Sequence, residues 1–405
     1  MIKFLKVLAL ISFLVSACTV ATPQATEAPT DIPVISEPTN VPSETVTEAI
    51  PTEPATETPP EATEAVLAPA AYGPKDFPAG VNELTGQTVE NVQLLNRRPA
   101  AVKVQLFPRS QRPPWGISQA DIVYDYYQNF GLTRLHAIFL SRDAETVGPV
   151  RSARLLDGAL VQMYQSIFAF GSAEQRTYSK LFNSDVSGRL IVEGNSNCPP
   201  LCRVDPNGTN ELVANTADMT TYASEKGVDN VVQDLSGMYF NSETPAAGQP
   251  APQVFVRFSI SAYNLWDYNP EIGRYLRYQD TQDAQDTSLE NVSALLDKLT
   301  NEQIAADNVV VLFVPHHYAF GTHPGVSEVI EINLSGSGPA YAFRDGEVYQ
   351  VVWNRPGKDS VLFLTFQDGS SYPFKPGNTW FEVMGTTTQL QNPTPGSWRF
   401  DNRIP

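Results

Sequence analysis

Val147-Gly148-Pro149-Val150-Arg151-Ser152-Ala153-Arg154 stands between a stretch that reads as a strand, Thr133 to Ser141, and one that reads as a helix, Ser152 to Gln165. Gly tolerates unusual backbone angles and Pro fixes its own φ, so the pair ends the strand and opens a turn. The helix then places Leu155, Leu156, Ala159, Leu160, Met163 and Tyr164 on one face at helical spacing. Its expected first turn carries Arg151 and Arg154, three residues apart, at the end where the helix dipole is already positive. Two cations there call for an anion. Either a carboxylate of this chain supplies it, from Asp121, Asp125, Asp157 or Glu174, or a ligand does. In the second case Arg151, Arg154, Ser152, Gly148 and Asp121 form the expected ligand-binding site, with Gly148 and Ser152 letting a phosphate or carboxylate approach the backbone.

Around this stretch, Ala100 to Phe107, Asp121 to Tyr127 and Ser166 to Gly171 also read as strands, being short, β-branched or aromatic, and bounded by Gly, Pro or Asp. Ala173 to Phe182 reads as a second helix. After a Pro/Gly-rich polar stretch the pattern changes. Gln253 to Ile260, Arg274 to Tyr278, Asn308 to Val314 and Glu328 to Leu334 read as strands, and Asp345-Gly346 and Asp368-Gly369 are two-residue hairpin signals. One helix, Leu289 to Leu299, is expected among them. The fold class is therefore α+β: a mixed α/β domain over residues 75–240, a linker over 241–252, and a mainly antiparallel β domain over 253–405.

At the start of the chain, Lys3 and Lys6 precede an apolar run, Val7 to Val15, of the size of a signal-peptide core. It ends Leu14-Val15-Ser16-Ala17-Cys18, which resembles the lipobox of bacterial lipoproteins. Residues 1–17 are then a signal peptide and Cys18 the lipid anchor, on the extracytoplasmic face of the cell membrane. Residues 18–74 form a disordered Pro/Thr/Glu-rich tether that holds nine acidic residues and no Lys or Arg between Thr19 and Ala70. Stretched as a polyproline-like chain, it reaches on the order of 100 Å. Those acids account for just over half of the net charge of -17, and the acidity argues against nucleic acid as a partner.

Four motifs in order, Asn96-Arg97-Arg98-Pro99, Gly116 to Tyr124, Gly131-Leu132-Thr133-Arg134 and Val147 to Arg154, resemble the YerB-like family of bacterial surface lipoproteins. The resemblance runs from about Glu83 onward, its second half carried by Asp307 to Val311 and Phe343-Arg344-Asp345-Gly346. It implies a two-domain lipoprotein and no reaction, the family being a domain of unknown function. Where the family carries a His-Ala-Gly-Gly-Ser type stretch, this chain has Phe168-Ala169-Phe170-Gly171-Ser172, and where Pro-His-Asn is usual it has Gly208-Thr209-Asn210.

Cys198 and Cys202, the pair left after the anchor, are expected to form a local disulfide in an exported protein, with a zinc site as the alternative. His316, His317 and His323 fall in one loop, where a transition metal or a solvated surface are both open, and His136 sits inside a strand as a packed or surface residue. No metal site and no cofactor are assigned. Trp266, Tyr268, Tyr275, Tyr278, Trp353 and Trp380 are either a stacking platform for sugar rings or sheet core. A Gly-x-Ser-x-Gly elbow is absent, and nucleophile, base and orienter stand in no recognisable order, so binding ranks above catalysis. The expected function is binding of a cell-envelope component: an anionic or glycan ligand such as a wall polymer, or an envelope protein. The alternative is a cell-wall-acting hydrolase or transferase that uses carboxylates such as Asp121 and Asp125 near Arg151.

Overall fold

The computed structural model describes residues 71–402 apart from 206, 209 and 210. The expected signal peptide, Cys18, the tether up to residue 70, and Thr209-Asn210 lie outside the described residues.

In the first half, strands β1 (Ala100–Val104), β2 (Ile122–Asn129) and β3 (Leu132–Phe139) lead to helix α1 (Leu155–Met163). Strand β4 (Ile167–Phe170), helix α2 (Gln175–Phe182), strand β5 (Leu190–Val192) and helix α3 (Thr216–Glu225) follow. The second half is mainly strand: β6 (Gln253–Arg257), β7 (Tyr263–Asn269), β8 (Arg274–Asp280), β9 (Asn308–Val314), β10 (Gly336–Arg344), β11 (Glu347–Arg355), β12 (Thr379–Gly385), β13 (Gln389–Thr394) and β14 (Ser397–Asp401). The first half is mixed α/β and the second mostly antiparallel.

Both halves contribute to one large mixed sheet, in the order β11-β10-β9-β12-β2-β3-β1-β4-β5. They meet where β12 runs parallel to β2, Thr379 opposite Ile122 and Val383 opposite Tyr126. A second sheet, β8-β7-β6-β14-β13, packs on the large one through an edge-to-face contact of Trp266 and Trp380 with centroids 5.1 Å apart. Within the segment expected as a linker, Gln249–Pro250 pairs with β11.

The alternation along β2 decides what each layer receives. Tyr124 and Tyr126 face the helices, Tyr124 meeting the Tyr164 hydroxyl at 2.6 Å, while Asp125 on the opposite face reaches Arg277 of the second sheet. Helix α1 buries Leu156, Leu160, Val161 and Met163, each contributing roughly 1.5–3 kcal/mol of burial. It stops where Gln165 takes a positive φ of 50°. Gly158 lets α2 come close, since a Cβ there would stand 2.9 Å from Leu181 Cδ2.

The helix expected over Leu289 to Leu299 does not form. Thr287–Leu289 is a short 3-10 turn and Val292–Ala294 pairs with β8. Tertiary bonds outweigh local propensity here: the Asp297 carboxylate accepts the Gly116 and Ser118 N–H groups at 2.8 and 2.7 Å. The three tryptophans of the candidate sugar platform are core. Trp266, Trp353 and Trp380 are buried, with Trp266 Nε1 donating to Glu382 at 2.8 Å and Trp353 Nε1 to the Phe313 carbonyl at 3.0 Å.

Candidate functional site

The helix begins at Leu155, so Arg154 is its N-cap and Arg151 stands before it in extended chain, not in the first turn as expected. The reason is a ladder: Arg151 N–H donates to the Lys103 carbonyl at 3.0 Å, Gly171 N–H donates to the Arg151 carbonyl at 3.0 Å, and Ala153 N–H donates to Ser172 at 2.7 Å. Asp157, in the first turn, answers the N-terminal donors internally, accepting the Arg154 N–H at 2.5 Å.

Register assembles what lies beneath. Lys103 on β1 is opposite His136 on β3, and Arg134 on β3 is opposite Tyr126 on β2, so these side chains share the face that α1 covers. Asp157 of α1 projects into their centre. Its Oδ1 receives Lys103 Nζ (3.2 Å), His136 Nδ1 (2.8 Å) and the Tyr126 hydroxyl, and the Asp157 and Lys103 side chains are wholly buried. Burial pushes the Lys103 amine down to about 7, against the pull of Asp157 and with Arg134 and Arg154 adding to the depression. Burial raises the Asp157 carboxyl, but Lys103, His136 and Tyr126 together hold it well below the usual carboxylate range. His136 is lowered by burial and its Nε2 has no partner among the described residues.

Above this cluster three guanidinium groups crowd together. Arg134 donates to the Ser152 carbonyl at 2.7 Å; Arg154 donates to the Ala153 carbonyl at 2.9 Å, to Ser152 at 3.3 Å and to Gln128. Arg151 makes no side-chain hydrogen bond among the described residues, its nearest charges being Arg203 and Glu193, themselves paired at 2.6 Å. Each guanidinium carries five N–H donors; among the described residues Arg134 makes one side-chain hydrogen bond, Arg154 three and Arg151 none. All three are lowered, by burial first; the other two arginines depress Arg134 further, and Arg203 does so for Arg151.

A cavity of about 260 Å³ opens beside Arg154, lined by Ser152, Ser172, Glu174, Thr177 and Glu328. The Ser152 and Ser172 hydroxyls meet at 2.9 Å on its exposed side. Both carboxylates are occupied: Glu174 caps α2 and pairs with Arg176 at 2.7 Å, and Glu328 accepts the Phe130 and Gly325 N–H groups and the Tyr127 hydroxyl. Of the charged side chains only Arg154, Glu174 and Glu328 line this cavity; Arg134 lies close enough to Arg151 and Arg154 to feel both, and none of the three guanidinium groups forms an ion pair among the described residues.

The structure gathers Arg151, Ser152 and Arg154 here, but not Gly148 or Asp121. Gly148 is buried and its N–H and carbonyl are both paired with Trp115. Asp121 lies at the start of β2, away from the corner that Tyr126 and Gln128 reach, and accepts the Leu140 and Ser141 N–H groups. Asp125 is buried against Arg277 at 2.6 Å. Cys198 and Cys202 form a disulfide. His316 is buried with Nδ1 2.7 Å from the Val314 carbonyl, His317 is exposed beside Glu331 at 3.1 Å, and His323 sits in an exposed turn. Among the described residues no group of three or more His, Cys, Asp or Glu could hold a metal ion. Lys103 and Ser172 went unread in the sequence. A lone Lys inside the apolar run Ala100 to Val104 was the available signal.

Residues 84–229 match the N-terminal domain, and residues 254–381 the C-terminal domain, of the family described as protein of unknown function (DUF3048). The chain belongs to this YerB-like family. It is similar to the "Putative lipoprotein YerB" of Bacillus subtilis (strain 168), with 27% identity over 310 residues, 74% of this chain and 85% of that protein. The crystal structure of the YerB protein from Bacillus subtilis shares the fold, with a TM-score of 0.61 and 24% identity, covering 75% of this chain and 96% of that one. Two of the YerB-like motifs read from the sequence, Gly131 to Arg134 and Val147 to Arg154, converge on the arginine corner. Among the described residues no helix is long and apolar enough to cross a membrane.

Proposed function

We propose that this YerB-like protein is held to the extracytoplasmic face of the membrane by lipid on Cys18 and binds an anionic group of a cell-envelope component at Arg134, Arg151 and Arg154. One observation carries the reading: none of these three guanidinium groups has a carboxylate within salt-bridge distance among the described residues, although two of them lie largely inside the protein. Packing cations together unpaired is unfavourable, and a phosphate or carboxylate seated on their free N–H donors relieves it. No similar observation supports the hydrolase alternative, because Asp121 and Asp125 are committed elsewhere.

Arg151→Gln is the sharpest test, since that side chain holds nothing in place. Its affinity for inorganic phosphate and for a synthetic poly(glycerol phosphate) is expected to fall about tenfold, with stability changed by less than about 0.5 kcal/mol. Unaltered affinity in the variant would remove the reading. Arg154→Gln is expected to cost about 1–2 kcal/mol of stability as well, because its guanidinium ties Ala153, Ser152 and Gln128. For the anchor, Cys18→Ser is expected to move the protein from the membrane fraction to the soluble fraction; retention in the membrane would sink that part.

A further inference from the structure

Two turns of the chain break one rule. Asn129 pairs with Leu132 across the turn between β2 and β3, whose central residues Phe130 and Gly131 have φ of 50° and 76°. Thr322 N–H donates to the Ala319 carbonyl at 3.0 Å across Phe320 and Gly321, with φ of 56° and 67°. The central residues of such turns are left-handed, a conformation that suits Asn, Asp or Gly and strains a phenylalanine. Packing does not account for either ring, since Phe130 is 55% and Phe320 46% exposed. A ring held on a strained backbone outside the core points to recognition of something that lies outside the chain.

Both turns are fastened to the cavity beside Arg154. Phe130 lines it, and its N–H donates to Glu328 Oε2 at 2.7 Å; the Tyr127 hydroxyl donates to the same oxygen at 3.1 Å and accepts the Gly131 N–H at 3.0 Å. Phe320 is joined to the other carboxylate through Arg176, which bonds Glu174 at 2.7 Å and the Phe320 carbonyl at 3.4 Å and lies 5.1 Å from the centre of the ring. The charged lining is of both signs, Glu174 and Glu328 against Arg154, with the Ser152 and Ser172 hydroxyls on the exposed side. Inside this cavity an anion meets two carboxylates, a cation meets a guanidinium, and an acyl chain strips water from all three. A neutral polyhydroxylated ring suits every wall: the carboxylates accept its hydroxyls, Arg154 donates to its oxygens, and its C–H face packs on Phe130.

We propose that the cavity is a carbohydrate subsite, which takes one neutral pyranose ring of a glycan with Phe130 as its stacking face. Equatorial hydroxyls leave a pyranose the flat C–H face that stacking needs, so the class is a β-linked glucose or N-acetylglucosamine chain. At about 260 Å³ the cavity admits a single ring with its substituents, and the rest of the glycan lies outside. The subsite goes beyond the anion reading and does not depend on it, since Arg134 and Arg151 are outside this lining.

The test is isothermal titration calorimetry of the full chain with chitotetraose and with cellotetraose, and with inorganic phosphate in parallel. At least one of the two glycans is expected to bind. Phe130→Asn puts the residue that the turn prefers in place of the ring, so its melting temperature is expected to hold or rise while glycan affinity falls about tenfold. Phe130→Tyr keeps a stacking face and is expected to bind the glycan like the unaltered protein. Phosphate binding is expected to be the same in both variants, whereas Arg151→Gln is expected to weaken phosphate and leave the glycan. Failure of both glycans to bind, affinity undiminished in Phe130→Asn, or an equal loss in Phe130→Tyr would overturn the subsite. So would tetralysine or phosphatidylglycerol vesicles binding through Phe130 where the glycans do not. Glycan bound without phosphate would keep the subsite and remove the anion reading alone.

Discussion

Asp157→Asn is expected to cost about 3–5 kcal/mol of stability at pH 6, because it leaves a buried ammonium without its counter-charge. Lys103, His136 and Tyr126 all meet one carboxylate oxygen, and the other receives the N–H that starts α1. The amide side chain keeps the shape and removes the charge. The pH dependence has a definite sign. Lys103 is lowered from 10.5 to about 7, so its contribution is present above about 10.5 and is lost as pH falls through 7. At pH 9 the folded protein holds a neutral amine with or without Asp157, and the cost of the substitution is expected to shrink. Urea unfolding at pH 6 and pH 9 measures both. An equal cost at the two pH values would mean that the pair is not ionic. Adding Lys103→Met to Asp157→Asn is expected to recover part of the loss, since the uncompensated amine then disappears. A merely local packing defect would show no such rescue.

The same cluster shows what was legible in the chain and what was not. Several strands were readable from β composition, and Asn308 to Val314 matches β9 at both ends, but Ala100 to Phe107 and Gln253 to Ile260 overrun β1 and β6 by three residues, and β7 and β12 were not read as strands. The two cations of Val147 to Arg154 read as a pair needing an anion, and Asp157 is one of the carboxylates the sequence offers for it. Their setting was not, because the helix starts three residues later than expected, displaced by a ladder to Lys103 and Ser172 that only tertiary contact supplies. Asp121 entered the expected site because nearness in sequence says nothing about which end of a strand faces which loop. Lys103 escaped for the complementary reason. Its partners depend on the register between β1, β3 and β2, and a one-residue slip would put it on the opposite face of the sheet. The cavity beside Arg154 could not be foreseen either, since the start of α1, the cap of α2 and the chain at Glu328 are far apart in sequence and meet only in the folded chain.

Arg277→Met should show the reverse pH dependence at the join between the halves. Arg277 of β8 is wholly buried and bonds Asp125 of β2 at 2.6 Å and Glu382 of β12 at 2.9 Å, with its guanidinium 4.6 Å from the centre of the Trp380 ring and 5.1 Å from that of Trp266. The second sheet is thereby tied to both halves of the large one. Burial, with Asp125 adding to it, pushes the Glu382 carboxyl up to about 7 even though Arg277 pulls it down. A carboxyl raised above its unfolded value contributes stability that is full below about 4.5 and is lost as pH rises through about 7. Without Arg277 the two carboxylates face each other in a dry join, so Glu382 should hold its proton to still higher pH. The variant is expected to lose about 3–5 kcal/mol at pH 8 and clearly less at pH 5, where Glu382 is protonated in both proteins. Its unfolding should also remain a single transition if the halves share one core, and part into two if the join was the main tie between them. A cost independent of pH would show that Arg277 acts there through packing between the tryptophans, and that the charges on Asp125 and Glu382 are incidental to holding the sheets together.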